Sequence, residues 1–209
     1  MSLGRDLTWK RHLVRMLPDA KAPVCVDLAC GTGDVALKLA ARFPAGRIQG
    51  IDLTPAMLSV ARTRCRFNNV SSRVGDMCAT GLEDASVDFV TGSYALRNAP
   101  ILDDALREVH RILKPGGHAA FLDFTKSPGR LRQKLQLLLL KFWGGMWGIL
   151  IHGGPEHAYI SESLRQFPDR AALRVRVAYH GFTVAETRPC FGGMLEILVL
   201  RKQQPSSGA

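Results

Sequence analysis

The sequence predicts an α/β fold of three layers: a seven-stranded sheet, mostly parallel with one antiparallel strand, with helices on both faces and a helical cap inserted late in the chain. Three observations predict it. Short apolar runs alternate with helix-compatible segments from residue 24 to residue 124, the rhythm of a parallel sheet covered on both sides. The first run, Val24–Leu28, leads into a glycine turn (Gly31, Gly33) that opens a helix at Asp34. The last two runs, Phe182–Thr187 and Leu195–Leu200, are joined by Arg188-Pro-Cys-Phe-Gly-Gly, a hairpin that closes the sheet edge with one antiparallel strand.

Taken in order, Leu7, Leu13, Val14 and Leu17 recur at helical spacing from Asp6, and Pro18-Asp19 ends that helix. Strand 1 follows, then a helix from Asp34 that stops before Pro44, then strand 2 at Arg47–Asp52. Thr54-Pro55 supplies an N-cap and a proline at the first helical position for a helix over Pro55–Arg66. Strands are expected at Val70–Val74 and Ser86–Gly92, an amphipathic helix at Leu102–Leu113 stopped by Lys114-Pro-Gly-Gly, and strand 5 at His118–Phe124. The rhythm then breaks into a long apolar segment, Leu131–Ile151, followed by a helical stretch Ser161–Tyr179 interrupted at Pro168. A single domain over 1–209 is expected, with 131–165 as an apolar cap within it.

Hydrophobic content of 46% with 22% charged residues excludes a disordered chain, and five cysteines without CxxC spacing exclude a disulfide framework and a structural zinc site. They point to a reducing, cytoplasmic setting, as does the lack of a secretory pattern at the N-terminus. The formal charge of +10 suits nucleic acid, anionic lipid or an acidic substrate, or serves solubility alone. No Asn/Asp-Pro-Pro-Tyr type motif and no aromatic-rich basic stretch supports nucleic acid. His152 and His157 flank Gly153-Gly-Pro-Glu without metal-ligand spacing, so no metal is expected.

Two carboxylates frame the glycine turn: Asp27 ends strand 1 and Asp52 ends strand 2, within reach of a ribose. Gly31-x-Gly33-x-x-Ala36 with Asp52 also fits a dinucleotide fingerprint. Asp27 would repel a pyrophosphate, however, and Asp34 at the helix N-terminus opposes an anion there. The sheet, moreover, ends without a second mononucleotide-binding half. A cationic nucleoside, S-adenosylmethionine, suits the turn better.

Together these residues resemble the class I S-adenosylmethionine-dependent methyltransferases, whose first motif matches Asp27–Asp34 (DLACGTGD), and the resemblance implies their Rossmann-like fold. It also implies cofactor contacts at Asp27, Ala29, Gly31 and Gly33 toward the methionine end, at Asp52, Leu53 and Met57 toward the ribose and its surroundings, at Asp76 and Met77 beside the adenine, and at Ser93. The runs Ser93–Asn98 (SYALRN), Ala105–Gly117, Leu122–Lys126 and Tyr159–Pro168 narrow the resemblance to the ubiquinone/menaquinone-biosynthesis C-methyltransferases, over nearly the whole chain. That implies C-methylation of a polyprenyl quinol ring, with Arg97 stabilising a developing phenolate, Asn98 orienting the same network and Tyr159 contacting the substrate. Alternative readings are O- or N-methylation of another small apolar acceptor, or a cofactor binder without activity.

The apolar segment then reads as an entrance for an isoprenoid tail, with Arg130, Arg132, Lys134 and Lys141 set against anionic membrane headgroups, and an oligomer is compatible with the sequence. Two departures stand out. Family members carry a tyrosine–aspartate pair upstream of the stretch matched by Met1–Arg11, so the cofactor lid is expected either upstream of this sequence or built differently. Strand 5 carries Asp123 where the family more often has glutamate.

Overall fold

The apolar run expected to found the sheet forms β1 (Val24–Leu28) in the computed structural model, which describes residues 6–125 and 167–204. Around it come α1 (Asp6–Arg15), α2 (Asp34–Arg42), β2 (Arg47–Asp52), α3 (Pro55–Arg64), β3 (Val70–Val74), β4 (Val87–Ser93), a 3₁₀ turn (Leu96–Asn98), α4 (Leu102–Ile112) and β5 (Leu113–Phe124). After the undescribed residues follow α5 (Arg170–Tyr179), β6 (Phe182–Cys190), a 3₁₀ turn (Phe191–Gly193) and β7 (Leu195–Lys202). The cap expected over 131–165, with Tyr159, His152 and His157, lies outside the described residues.

The sheet runs β3-β2-β1-β4-β5-β7-β6. Strands β1 to β5 pair in parallel, and β7 runs antiparallel to both β5 and β6. Sequence order therefore reverses between β1 and β4, and α/β sheets bind ligands at the carboxyl ends of the strands flanking such a reversal. The glycine turn leaves one of those strand ends, and Ser93 closes the other. The one antiparallel strand is not the edge strand: β7 is inserted between β5 and β6, so its run Leu195–Leu200 is buried throughout.

Two hydrophobic clusters cover the faces. One packs Leu106, Val109, Ile112, Leu173 and Val177 of α4 and α5 on Val26, Leu28, Val90 and Phe121. The other packs Trp9, Leu13, Val35 and Leu39 of α1 and α2 on Cys25, Phe89, Leu122 and Ile197. The strands thus bury both sides, as continuous apolar runs require.

Three local expectations are corrected. Strand pairing begins at Leu113 rather than at His118, because Lys114–Gly117 forms an irregularity in the ladder: Val87 pairs with Leu113, but Phe89 pairs with His118. Gly116, at φ +78, takes the left-handed conformation that this detour needs. The helix from Pro55 ends at Arg64, two residues early. Thr54 occupies the N-cap position there, but its hydroxyl makes no capping bond.

Candidate active site

The glycine turn is built from left-handed residues. Ala29, Gly31 and Gly33 have φ of +49, +53 and +83. That geometry is unfavourable for Ala29 and free for the glycines. A Cβ on Gly33 would also stand 3.2 Å from the Cβ of Ala61 on α3, so the turn and α3 pack at glycine distance.

Carboxylates hold this turn from below and beside. Helix α2 begins at Gly33 without a side-chain cap of its own. The cap comes from β1: Asp27 Oδ2 accepts from Ala36 N at 3.2 Å, and Oδ1 accepts from the Thr91 hydroxyl at 2.8 Å. Asp27 is 1% exposed. Burial pushes its carboxyl up to about 7, against the opposing pull of the Thr91 and Ala36 bonds. Asp52 Oδ2 accepts from Gly31 N at 2.7 Å, and Oδ1 accepts from Thr54 N at 2.8 Å. Asp76, in the turn after β3, accepts from Cys78 N at 2.8 Å, and Met77 beside it is buried in the core. Leu53 and Met57, flanking the start of α3, are exposed apolar side chains at 62% and 46%. Ser93 Oγ is buried and without a hydrogen-bond partner among the described residues.

Past β4 the chain turns at Tyr94, with φ +60. Asn98 Nδ2 donates to the Tyr94 carbonyl at 2.8 Å, so Asn98 fixes this turn. It does not cap α4, whose N-cap is Ile101. Arg97 follows with a side chain only 5% exposed. Its backbone N–H donates to Asp123 Oδ2 at 3.0 Å and its Nε to Oδ1 at 3.4 Å. Its guanidinium carbon lies 5.2 Å from the Phe124 ring centroid. Burial pushes the Asp123 carboxyl up to about 6, while the Arg97 backbone bond and charge hold it down.

Sequence reasoning noticed Asp123 but not its partner, and it missed Glu196 and Arg170. Glu196 is 6% exposed and registers across the sheet with Asp123. Its carboxylate lies 3.5 Å from Arg170 Nε and 3.8 Å from Arg174. Arg170 also donates to the Gly193 carbonyl at 2.7 Å and to the Thr125 hydroxyl at 3.0 Å. A glutamate inside the apolar run Leu195-Glu-Ile-Leu-Val-Leu was the available signal, since a buried charge demands a partner. Among the described residues no group of three His, Cys, Asp or Glu is arranged to hold a metal, and all five cysteines are free thiols.

The structure thus brings Asp27, Ala29, Gly31, Gly33, Asp52 and Ser93 to the reversal point of the sheet, with Arg97 and Asn98 beyond β4. Comparison with known proteins identifies the family. A ubiquinone/menaquinone biosynthesis C-methyltransferase UbiE from Rubrivivax gelatinosus is 38% identical over 87% of this chain and 71% of its own length. A demethylmenaquinone methyltransferase from Thermus thermophilus is 34% identical over 92% of this chain and 89% of its own. Among solved structures, phosphoethanolamine N-methyltransferase 2 of Haemonchus contortus, in complex with S-adenosyl-L-methionine, shares the fold at a TM-score of 0.74. It is 16% identical, over 94% of this chain and 53% of that one. Residues 1–199 match the model of the ubiE/COQ5 methyltransferase family, and the chain belongs to that family.

Proposed function

We propose that this enzyme transfers the methyl group of S-adenosylmethionine to a ring carbon of a quinol in ubiquinone/menaquinone-type biosynthesis. Family membership and the relatives' activities support the reaction. The observation that carries it in the structure is Arg97, buried and gripped by Asp123 at the strand end beside the glycine turn.

The residues present fit the cofactor. Asp52 spends two acceptor sites on Gly31 and Thr54, and a carboxylate offers about four, so two remain for ribose hydroxyls. Leu53 and Met57 would cover the adenine with apolar surface that is otherwise exposed, Asp76 and Met77 would border it, and the Ser93 hydroxyl would gain the partner it lacks. Asp27 acts through the turn that it caps, which would direct the Gly31 and Gly33 backbone at the methionine end. When bound, the cofactor supplies an activated methyl group on a cationic sulfur.

On the acceptor side, a quinol hydroxyl gives its proton to water and the ring carbon gains the methyl. Loss of the ring proton to water restores aromaticity, the oxygen taking one proton back so that one is released overall. Arg97 stabilises the phenolate charge that makes the carbon nucleophilic. Asp123 occupies its Nε and backbone N–H, so the plane of the guanidinium is fixed before the acceptor arrives. Asn98 supports the same turn through Tyr94, and Tyr159 would meet the acceptor from the cap.

The finer parts of this reading rest on the sequence. One domain spans 1–209, the apolar segment 131–165 admits a polyprenyl tail, and Arg130, Arg132, Lys134 and Lys141 meet anionic headgroups from a cytoplasmic position. No helix among the described residues is long and apolar enough to cross a membrane. Anionic liposome co-sedimentation tests the peripheral contact: salt-sensitive binding is expected, and no binding at any salt removes it. For the reaction, the purified protein is given S-adenosylmethionine and either demethylmenaquinol or unrelated phenols, and the methylated atom is located by NMR. Methyl on the quinol ring carbon is expected. Methyl on oxygen, or turnover confined to other phenols, overturns the reading.

A further inference from the structure

The glycine turn and the turn carrying Arg97 are joined by a line of charged and polar side chains that the reaction does not use. Arg64 on α3 donates to Asp34 Oδ1 at 2.6 Å and to the Thr32 carbonyl at 3.0 Å. Asp34 is the first residue of α2, directly after Gly33. Lys10 on α1 lies 3.0 Å from Asp34 Oδ2 and 2.7 Å from Asp6 Oδ2, with its own side chain 13% exposed. Asp6 Oδ1 accepts from the Tyr94 hydroxyl at 2.8 Å. Tyr94 is the left-handed residue between Ser93 and Arg97, and its carbonyl is the one that Asn98 holds.

We infer that Lys10 is a positioning residue for the cofactor turn, and that α1 is a brace tying that turn to the acceptor-side turn after β4. The inference rests on the cofactor reading above.

The physical case is one of geometry and charge. An ammonium flanked by two carboxylates holds both at hydrogen-bond distance, and charge-assisted bonds are the strong ones. Burial alone would lower the Lys10 pKa, but Asp6 and Asp34 together raise it, so the cation persists. Burial raises the Asp34 carboxyl, while Lys10 and Arg64 bring it below its usual range, so that end stays ionised too. Burial and the neighbouring Asp6 push the Tyr94 phenol upward, which keeps it a donor. Lys10, Asp34 and Tyr94 are therefore each in the protonation state that their bonds need near neutrality. The glycine turn has left-handed backbone and no side chains at Gly31 and Gly33 with which to anchor itself. Asp52 holds it at Gly31 N, and further support comes at Thr32, within the turn, and at Asp34, on its flank. Those two points are held by α1 and α3, and α1 is held in turn by Tyr94. Groups sharing one network couple, whereas distant independent sites add.

The test is calorimetric titration of the full chain with S-adenosylhomocysteine, which needs no turnover. Lys10→Met keeps most of the side-chain stem and removes the charge; it is expected to weaken binding about tenfold, a coupling of ordinary size for one network. Lys10→Arg restores the charge and should return the affinity to within about threefold of the parent. Tyr94→Phe should weaken binding several-fold in the parent and have no effect in the Lys10→Met background. A local packing role for Tyr94 would give equal effects in both. Should Lys10→Met not fold, Asp6→Ala removes the link between Lys10 and Tyr94 while leaving Lys10 on Asp34, and should likewise abolish the effect of Tyr94→Phe. Parent affinity in Lys10→Met, or an equal Tyr94→Phe effect in both backgrounds, overturns the inference while leaving the cofactor reading intact. Failure of the parent chain itself to bind S-adenosylhomocysteine overturns both.

Discussion

Carboxylates along the sheet edge where the parallel strands end do different work on the two sides of the sheet's reversal point. On the side of β1, β2 and β3 they grip backbone: Asp27 takes Ala36 N, Asp52 takes Gly31 N and Thr54 N, and Asp76 takes Cys78 N. On the side of β5 and β7 they pair with guanidinium groups: Asp123 with Arg97, and Glu196 with Arg170 and Arg174. The first arrangement shapes a loop to receive a ligand and leaves the acceptors partly free. The second holds cations in place inside a buried environment, where charge counts for more than it does in water. Under the proposed function, ligand binding and charge stabilisation fall to separate halves of one sheet edge.

The sharpest way to break that division is to change one carboxylate in each half. Asp123→Asn keeps the shape but removes the charge that fixes Arg97, and a misplaced catalytic group costs about 100-fold in rate. We expect kcat to fall by that order with S-adenosylhomocysteine affinity unchanged, and Asp123→Glu to recover part of the loss. Equal losses in binding and turnover would merge the two halves.

The pH dependence of stability sharpens the same contrast. Asp27 and Asp123 have carboxyls raised by burial from 3.8 to about 7 and about 6. Below 3.8 each is protonated in both the folded and the unfolded chain. Between there and the raised value the unfolded chain releases a proton that the folded chain keeps, so each group lowers stability as pH rises and levels off above its folded value. Asp34 and Glu108 are lowered instead, burial being outweighed by Lys10 and Arg64 for the one and by Arg111 and Thr80 for the other. Their contribution is present above the unfolded values and is lost as pH falls through the folded ones. Urea midpoints should therefore decline between pH 4 and 7. Asp27→Asn should flatten the part of that decline near pH 7.

How much of this was legible in the sequence follows from the same division. The cofactor half is local: Asp27, the glycines and Asp34 lie within eight residues, and Asp52 is placed by the end of an apolar run, so pattern alone located them. The parallel pairing of strands β1 to β5 followed from alternation. The acceptor half is long-range. Arg97 and Asp123 are 26 residues apart and Glu196 meets Asp123 only through the antiparallel register of β7, which no local spacing encodes. Asp27 shows the limit of local reading: its position was foreseen, but its burial and its capping of α2 came only from the packing. The irregular ladder at Lys114–Gly117 was hidden for a related reason, since Pro and Gly read equally as a stop and as a bulge.

Smaller effects separate the turn from its surroundings. Gly33→Ala places a Cβ 3.2 Å from Ala61 at φ +83, and should cost about 1–2 kcal/mol. In a chain of this size that lowers the melting temperature by roughly 3–6 °C, and S-adenosylhomocysteine binding should weaken with it. Met57→Ala removes an exposed side chain and should leave stability within about 0.5 kcal/mol. Its cofactor affinity should nevertheless fall by a few-fold, the loss expected for part of an apolar contact. An unchanged affinity would place the adenine away from α3.

The central claim, that binding and charge stabilisation sit in different halves, is tested most directly by Arg97→Ala measured twice. Calorimetry with S-adenosylhomocysteine should give the parent affinity within about twofold, while single-turnover methyl transfer to demethylmenaquinol should slow by about 100- to 1000-fold. Undiminished transfer, or cofactor binding lost in step with it, would contradict the account.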